Sequence, residues 1–256
     1  MTDTALVQMT RHGNVMLLTL NRADRKNALN SEMYAALTEA LTQADADHDV
    51  RAVVLTGSGD AFSAGNDLAD FEKRDEAAVS PAAGFVRALN TSQTPLVAAV
   101  NGLAVGIGVT LLAHCDLVYV GESARLRLPF TALGVVPEAG SSMLIPAIVG
   151  HRRATELLLL GEFFSASDAV DMGLANRLCK DAEVLEQALR AATHLAALPA
   201  SAVRQTRELL KANFGAALNA RIEDEFQRFG ALLQSDDAKE ARLAFREKRA
   251  PVFNQS

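Results

Sequence analysis

Four short runs of β-branched and apolar residues, each closed by turn residues, constrain the fold of this chain more than any other feature. They are VMLLTL (15–20), RAVVLTG (51–57), LVAAV (96–100) and DLVYVG (116–121). Apolar residues on both faces of each run mark buried strands covered on both sides. The first two flank NSEMYAALTEALTQADAD, where Met33, Leu37, Ala40, Leu41 and Ala44 share one helical face and Asn30 or Ser31 offers an N-cap. The last two flank GLAVGIGVTLLAHC (102–115), which reads as a helix rich in small residues. Strand–helix–strand, twice over, predicts parallel pairing and an α/β fold.

From about residue 137 the pattern turns helical. RRATELLLLG, SASDAVDMG and the stretches 183–197, 199–213 and 215–235 precede a charged ending, DDAKEARLAFREKRAPVF. A length of 256 residues allows one α/β domain with an appended helical tail, or two domains. The division expected is a core over 1–197 and a helical region over 198–256. The loop EKRDEAAVSPAAG (72–84) has two readings, a plain surface loop or the border of a site.

Lys plus Arg total 25 against 31 Asp plus Glu, a net charge of −6, so no overall field draws nucleic acid or an acidic membrane to the chain. An anionic ligand therefore needs a local basic patch. Cys115 and Cys179 have no metal-binding spacing and read as plain thiols of a reducing compartment. MTDTALVQMT lacks the order of a secretory signal, and the apolar run VGIGVTLLA is far shorter than the roughly 20 residues that span a bilayer. A soluble, cytoplasmic protein is expected.

Glycines cluster at three strand-to-helix junctions: FSAGNDL (62–68), NGLAVGIG (101–108) and GVVPEAGSS (134–142). Such junctions turn backbone N–H groups outward, and two that converge can hold an oxygen that becomes negative during a reaction. Taken singly, each cluster fits a tight turn equally well. The spacing of GLAVGIG does not make a dinucleotide fingerprint, and no Gly-Lys-Ser/Thr follows a glycine run to make a P-loop. The histidines are scattered without metal spacing, and Ser63, Ser141 and Ser142 have no evident His–Asp partners.

In order and separation these segments resemble the crotonase family, the enoyl-CoA hydratase/isomerase superfamily, over nearly the whole chain. NRADRKNALN is similar to that family's early CoA-binding segment, DAFSAGNDL to its first oxyanion turn, VNGLAVGIGVTLLAHCDL to its second and AFREKRAPVF to its C-terminal ending. The resemblance implies a crotonase-like α/β fold: a repeated ββα spiral core with a helical C-terminal trimerisation region, assembled as a homotrimer or a dimer of trimers. It implies an acyl-CoA thioester as substrate and no cofactor beyond the CoA that the substrate carries. The oxyanion donors would be the backbone N–H groups of Asn66 and Ile107. Arg25, Lys26, Ala28, Ala64, Gly65, Asp67 and Leu68 fall at CoA-binding positions, although Arg25 and Lys26 can also be read as solvated loop charges. Phe245 and Lys248 would reach a neighbouring subunit's CoA.

Hydration in this family uses two carboxylates, whose positions correspond here to Thr110 and Phe130. Neither side chain moves a proton at neutral pH. Glu138, in VVPEAGSS, stands instead where the family's 3,2-enoyl-CoA isomerases carry their single acid–base residue. By its residues alone, a Glu after Pro137 at a helix start is equally a dipole-stabilised cap. Asp70 and Glu72 follow the first turn and could approach an acyl chain or face solvent. The resemblance favours an isomerase of fatty-acid β-oxidation or related acyl-CoA metabolism. A hydratase, another thioester chemistry and a non-catalytic acyl-CoA-binding protein are the alternatives.

Overall fold

The computed structural model describes residues 5–67 and 80–253. Among these residues ten strands lie in two sheets. β1 (Val7–His12), β2 (Val15–Leu20), β3 (Ala52–Gly57), β5 (Leu96–Val100), β7 (Leu117–Gly121) and β10 (Arg177–Cys179) form the larger, in the order β1-β2-β3-β5-β7-β10. β4 (Ala61–Ser63), β6 (Leu103–Val105), β8 (Arg125–Arg127) and β9 (Phe163–Ser165) form the smaller, in that order. β2, β3, β5, β7 and β10 run parallel, among them the β2–β3 and β5–β7 pairs that the strand–helix–strand pattern predicts, and β1 closes the edge antiparallel to β2.

Each of the pairs β3–β4, β5–β6 and β7–β8 gives its first strand to the larger sheet and its second to the smaller. The chain thus climbs one strand in both sheets per turn, which is the repeated ββα spiral. The α-helices among the described residues are α1 (Ser31–Ala46), α2 (Pro81–Thr91), α3 (Ile107–Thr110), α4 (Ser141–Val149), α5 (His151–Thr155), α6 (Ala166–Asp171), α7 (Val184–Ala197), α8 (Ala200–Lys211), α9 (Gly215–Leu233) and α10 (Asp236–Glu247). α1 starts where expected, with the Asn30 side chain accepting the Met33 N–H.

The alternation of a strand divides the core in two. Met16, Leu18, Leu20, Val53, Leu55, Ala98 and Val100 face the main hydrophobic cluster with α1 and α2. Val15, Leu17, Ala52, Val54, Val97 and Ala99 face α7 through Val184, Ala188 and Ala192. Both faces of the larger sheet are therefore covered. Each fully buried Leu or Val contributes about 1.5–3 kcal/mol.

Two expectations change. GLAVGIGVTLLAHC is not one helix: Leu103–Val105 is strand β6, and only Ile107–Thr110 is α-helical before a 3-10 turn over Leu111–His114. Pairing with β4 and β8 on either side satisfies the β6 backbone, which outweighs local helical pattern. The helical second half also contains β9 and β10, three residues each, which pair with β8 and β7 and are too short to show a period.

The last helices fold back onto the core. Arg207 of α8 donates through Nε to both carboxylate oxygens of Asp116 (2.8 and 2.7 Å), while Asp116 accepts the Leu96 N–H (2.8 Å). α10 lies against the turn after Thr131–Leu133, so close that a Cβ at Gly134 would stand 2.8 Å from the Ala238 nitrogen.

Candidate active site

β4 and β6 are parallel neighbours, with Ala61 opposite Leu103 and Ser63 opposite Ala104, so the turns leaving their C-terminal ends lie side by side. A Cβ at Gly65 (φ 93°) would come within 2.8 Å of the Val105 carbonyl oxygen, and one at Gly108 within 2.7 Å of that of Ser63. Close backbone approach is what these glycines serve. Leu29 donates its N–H to the Gly65 carbonyl (2.7 Å) and accepts that of Asp67 (2.9 Å), which leaves the intervening Asn66 N–H directed away from Leu29. Ile107 is the first residue of α3, where an N–H has no acceptor within its own helix. Two backbone donors are thus placed on adjoining turns. The Asn66 side chain is itself held, its Oδ1 accepting the Tyr34 hydroxyl.

A cavity of about 470 Å³ is bordered by Ala64, Gly65, Asn66 and Gly106 from these turns. Phe130, Val135, Phe163 and Phe245 are among its apolar walls, and Arg127 and Arg242 border it. Arg127 donates through Nε to the Gly161 carbonyl (2.6 Å) and lies 5.1 Å from the centre of the Phe163 ring. Neither Arg127 nor Arg242 has a carboxylate partner among the described residues, and no Asp or Glu among those residues borders the cavity. Sequence reasoning passed over both arginines because an isolated basic residue carries no motif.

Glu138 is 4 % exposed and follows Val135 by three residues; neither it nor the buried Ile107 borders the open cavity. It does not start a helix. α4 begins at Ser141, and Glu138 opens a β-turn whose carbonyl accepts the Ser141 N–H (3.1 Å). Ala139 (φ 62°) and Gly140 (φ 68°) are its central residues. A left-handed Ala costs about 1–2 kcal/mol.

The cap suggested for Glu138 is made by another carboxylate. Glu225 of α9 accepts the N–H of Gly140 (2.6 Å) on Oε2 and the N–H (2.9 Å) and hydroxyl (2.5 Å) of Ser142 on Oε1. Burial raises the Glu225 pKa, opposed by the bonds from Ser142 and Gly140. On the other side, His114 Nε2 lies 2.7 Å from the Ala139 carbonyl oxygen. Burial holds the His114 pKa down to about 4, so the ring is neutral, and since a carbonyl only accepts, Nε2 carries the proton. Glu225 lies inside a plain amphipathic helix, where nothing in the sequence sets it apart.

Thr110 is fully buried on α3 and Phe130 walls the cavity, so the two positions that the resemblance aligns with the hydratase acids hold no ionisable group. The segment 22–29 is bonded to the first turn, with Lys26 accepting the Ala64 N–H (2.8 Å). Lys26 Nζ pairs with Asp60 (2.6 Å), Arg25 stands exposed beside Asp24 (3.9 Å), and Asp67 pairs with Arg22 (2.6 Å). Ala28 accepts from Arg22 Nη1 (3.0 Å). Asn27, not singled out in the sequence, is fully buried at φ 55° and donates to the carbonyls of Ser58 (2.9 Å) and Ala61 (2.7 Å). Phe245 borders the cavity of its own chain, because α10 folds over it; Lys248 ends that helix at φ 54° and does not border the cavity. Leu68, Asp70 and Glu72 fall outside the described residues.

Two sheets that gain one parallel strand each per turn of the chain, with donors at the strand ends between them, define the crotonase class of fold. The sequence profile of the enoyl-CoA hydratase/isomerase family matches residues 10–256, and the chain belongs to that family. It is 40 % identical to a putative enoyl-CoA hydratase of Thermus thermophilus, over 97 % of this chain and 100 % of the relative. It is 35 % identical to enoyl-CoA delta isomerase 2 of Rattus norvegicus, over 93 % of this chain and 63 % of the relative. A crystal structure of an enoyl-CoA hydratase/isomerase from Pseudoalteromonas atlantica superposes with a TM-score of 0.93 at 41 % identity, covering 97 % of this chain and 100 % of that one.

Proposed function

We propose that the protein is an enoyl-CoA isomerase that moves the double bond of a 3-enoyl-CoA to the 2-position, with Glu138 as its one acid–base group. The observation that carries this reading is which side chains are present: Thr110 and Phe130 stand at the positions that the resemblance aligns with the two hydratase acids, and Glu138 is a buried carboxyl three residues after Val135, which lines the cavity. The thioester oxygen would accept the N–H groups of Asn66 and Ile107. Glu138 would take a proton from C2, the negative charge would spread onto the thioester oxygen, and the same carboxyl would return the proton to C4. The C3–C4 double bond becomes C2–C3 with no net gain or loss of atoms or electrons, so the substrate's own CoA is the one accessory group required. A donor of this kind is worth about 10²–10³ in rate.

CoA would lie along Arg25, Lys26, Ala28, Ala64, Gly65, Asp67 and Leu68, with Phe245 and Lys248 on the C-terminal side. Support comes from the bonding of 22–29 to the first turn and from Phe245 at the cavity. The assembly proposed is a homotrimer or dimer of trimers, supported by exposed Leu209 and Leu210 on α8.

Glu138→Gln is expected to lower conversion of 3-enoyl-CoA by about 10²–10⁴-fold while substrate still binds. Unchanged turnover overturns the mechanism. The name of the Thermus relative favours hydration as a second reading. Formation of 3-hydroxyacyl-CoA from 2-enoyl-CoA at a rate above isomerisation would establish it instead, and tight binding without turnover of either substrate would mark a non-catalytic binder.

A further inference from the structure

The peptide bond between Ala139 and Gly140 is held at both ends by buried side chains from distant parts of the chain. Its carbonyl accepts from His114, at the end of the 3-10 turn that continues α3, and its N–H donates to Glu225 on α9. In a trans peptide these two groups point in opposite directions, so the bond is gripped from opposite sides. The grip opposes a preference of the turn itself. An Ala followed by Gly suits a type II turn, with φ about −60° and then about +80°. Here both residues have positive φ, which Ala adopts only when its surroundings hold it there. Relaxation would rotate Ala139, the residue bonded to Glu138. A Cβ at Gly140 would also stand 2.5 Å from Leu218 Cδ1, so α9 presses directly on the turn.

We propose that Glu225 and His114 are positioning residues for Glu138: together they hold the Ala139–Gly140 peptide in its strained turn, so that the C-terminal helical region sets the placement of the acid–base group. His114 ties that turn to the helix that opens at Ile107, linking the proposed base to one of the proposed oxyanion donors. This rests on the isomerase reading of Glu138.

Glu225→Gln keeps the size of the side chain but puts an amide N–H₂ where one of two oxygens accepted. Two readouts test it: steady-state turnover of 3-enoyl-CoA, and the titration of the Glu138 carboxyl followed by ¹³C NMR on glutamate-labelled protein, assigned with Glu138→Gln. The variant is expected to lower kcat by about tenfold or more with KM changed less than about twofold, and to move the Glu138 midpoint by about half a unit or more. Glu223→Gln, on the same helix but paired at the surface with Arg87, should leave both readouts as in the wild type. A variant that melts at lower temperature with kcat per folded protein and the Glu138 titration unmoved overturns the proposal. Should Glu225→Gln not fold, Ser142→Ala removes one of the three donors and leaves the carboxylate. It is then expected to shift both readouts less, in the same direction, and no shift overturns the proposal. If Glu138→Gln turns over like the wild type, the isomerase reading fails, and the NMR titration still decides whether Glu225 places Glu138.

Discussion

His114 shows how one buried side chain ties stability to pH. Burial lowers its pKa from 6.5 to about 4, with the positive charges of Lys211 and Arg207 adding to the effect and the Ala139 bond opposing it. Between those values the unfolded chain binds a proton that the folded chain excludes. The stability that goes with a neutral His114 is complete above about pH 6.5 and is lost as the pH falls toward 4, a difference of up to about 3 kcal/mol. Glu225 acts with the opposite sign, since its raised pKa makes the folded state hold a proton more tightly than the unfolded one. Urea unfolding of wild type and His114→Gln at a series of pH values separates them: the variant should lose the His114 part of the slope. Identical slopes would show that His114 does not titrate as its burial implies.

Among the elements, α8 illustrates how a helix that buries little apolar surface is fixed to a core. It buries Arg207 rather than a row of leucines, and its guanidinium meets the Asp116 carboxylate and the Ser92 carbonyl at the point where β5 and β7 begin. Removing Arg207 leaves the Asp116 carboxylate with the more distant Lys211 ammonium (3.8 Å) and the Leu96 N–H (2.8 Å). Arg207→Ala is expected to destabilise the fold by about 1.5–3 kcal/mol, measured by equilibrium denaturation. A loss below about 1 kcal/mol, the range of an exposed pair, would show that Asp116 is hydrated after all. The segment 102–115 carries the complementary lesson for strands. Its small residues read as helix, yet three of them pair between β4 and β8, and the helix that follows is only a few residues long. Local pattern lost to the hydrogen-bonding needs of neighbours far away in sequence.

For the whole molecule, the surface of the C-terminal helices bears on assembly. Leu209 and Leu210 are about three-quarters exposed on α8, and Leu159 and Leu160 protrude beyond α5. Exposed pairs of large apolar side chains suit contact with other copies of the chain. If α8 lies in the trimer contact, Leu209→Asp with Leu210→Asp should shift the mass measured by sedimentation from trimer or hexamer to monomer. A wild-type chain that sediments as a monomer would refute the proposed assembly.

Four strands of the larger sheet (β2, β3, β5 and β7), the parallel pairing of β2 with β3 and of β5 with β7, the extent of α1 and the glycine turns were legible in the sequence, because each depends on periodicity or on residues adjacent along the chain. So was the absence of ionisable groups at positions 110 and 130. Tertiary structure alone decided that Glu138 precedes its helix by a strained turn and that Glu225, from another helix, provides the cap. It alone decided that His114 reaches that turn and that Phe245 walls its own chain's cavity. The physical reason is common to all of these. A buried polar group or a left-handed residue is held by whichever donors, acceptors and packing surfaces the fold brings to it, and these come from residues too far apart in sequence to share a pattern.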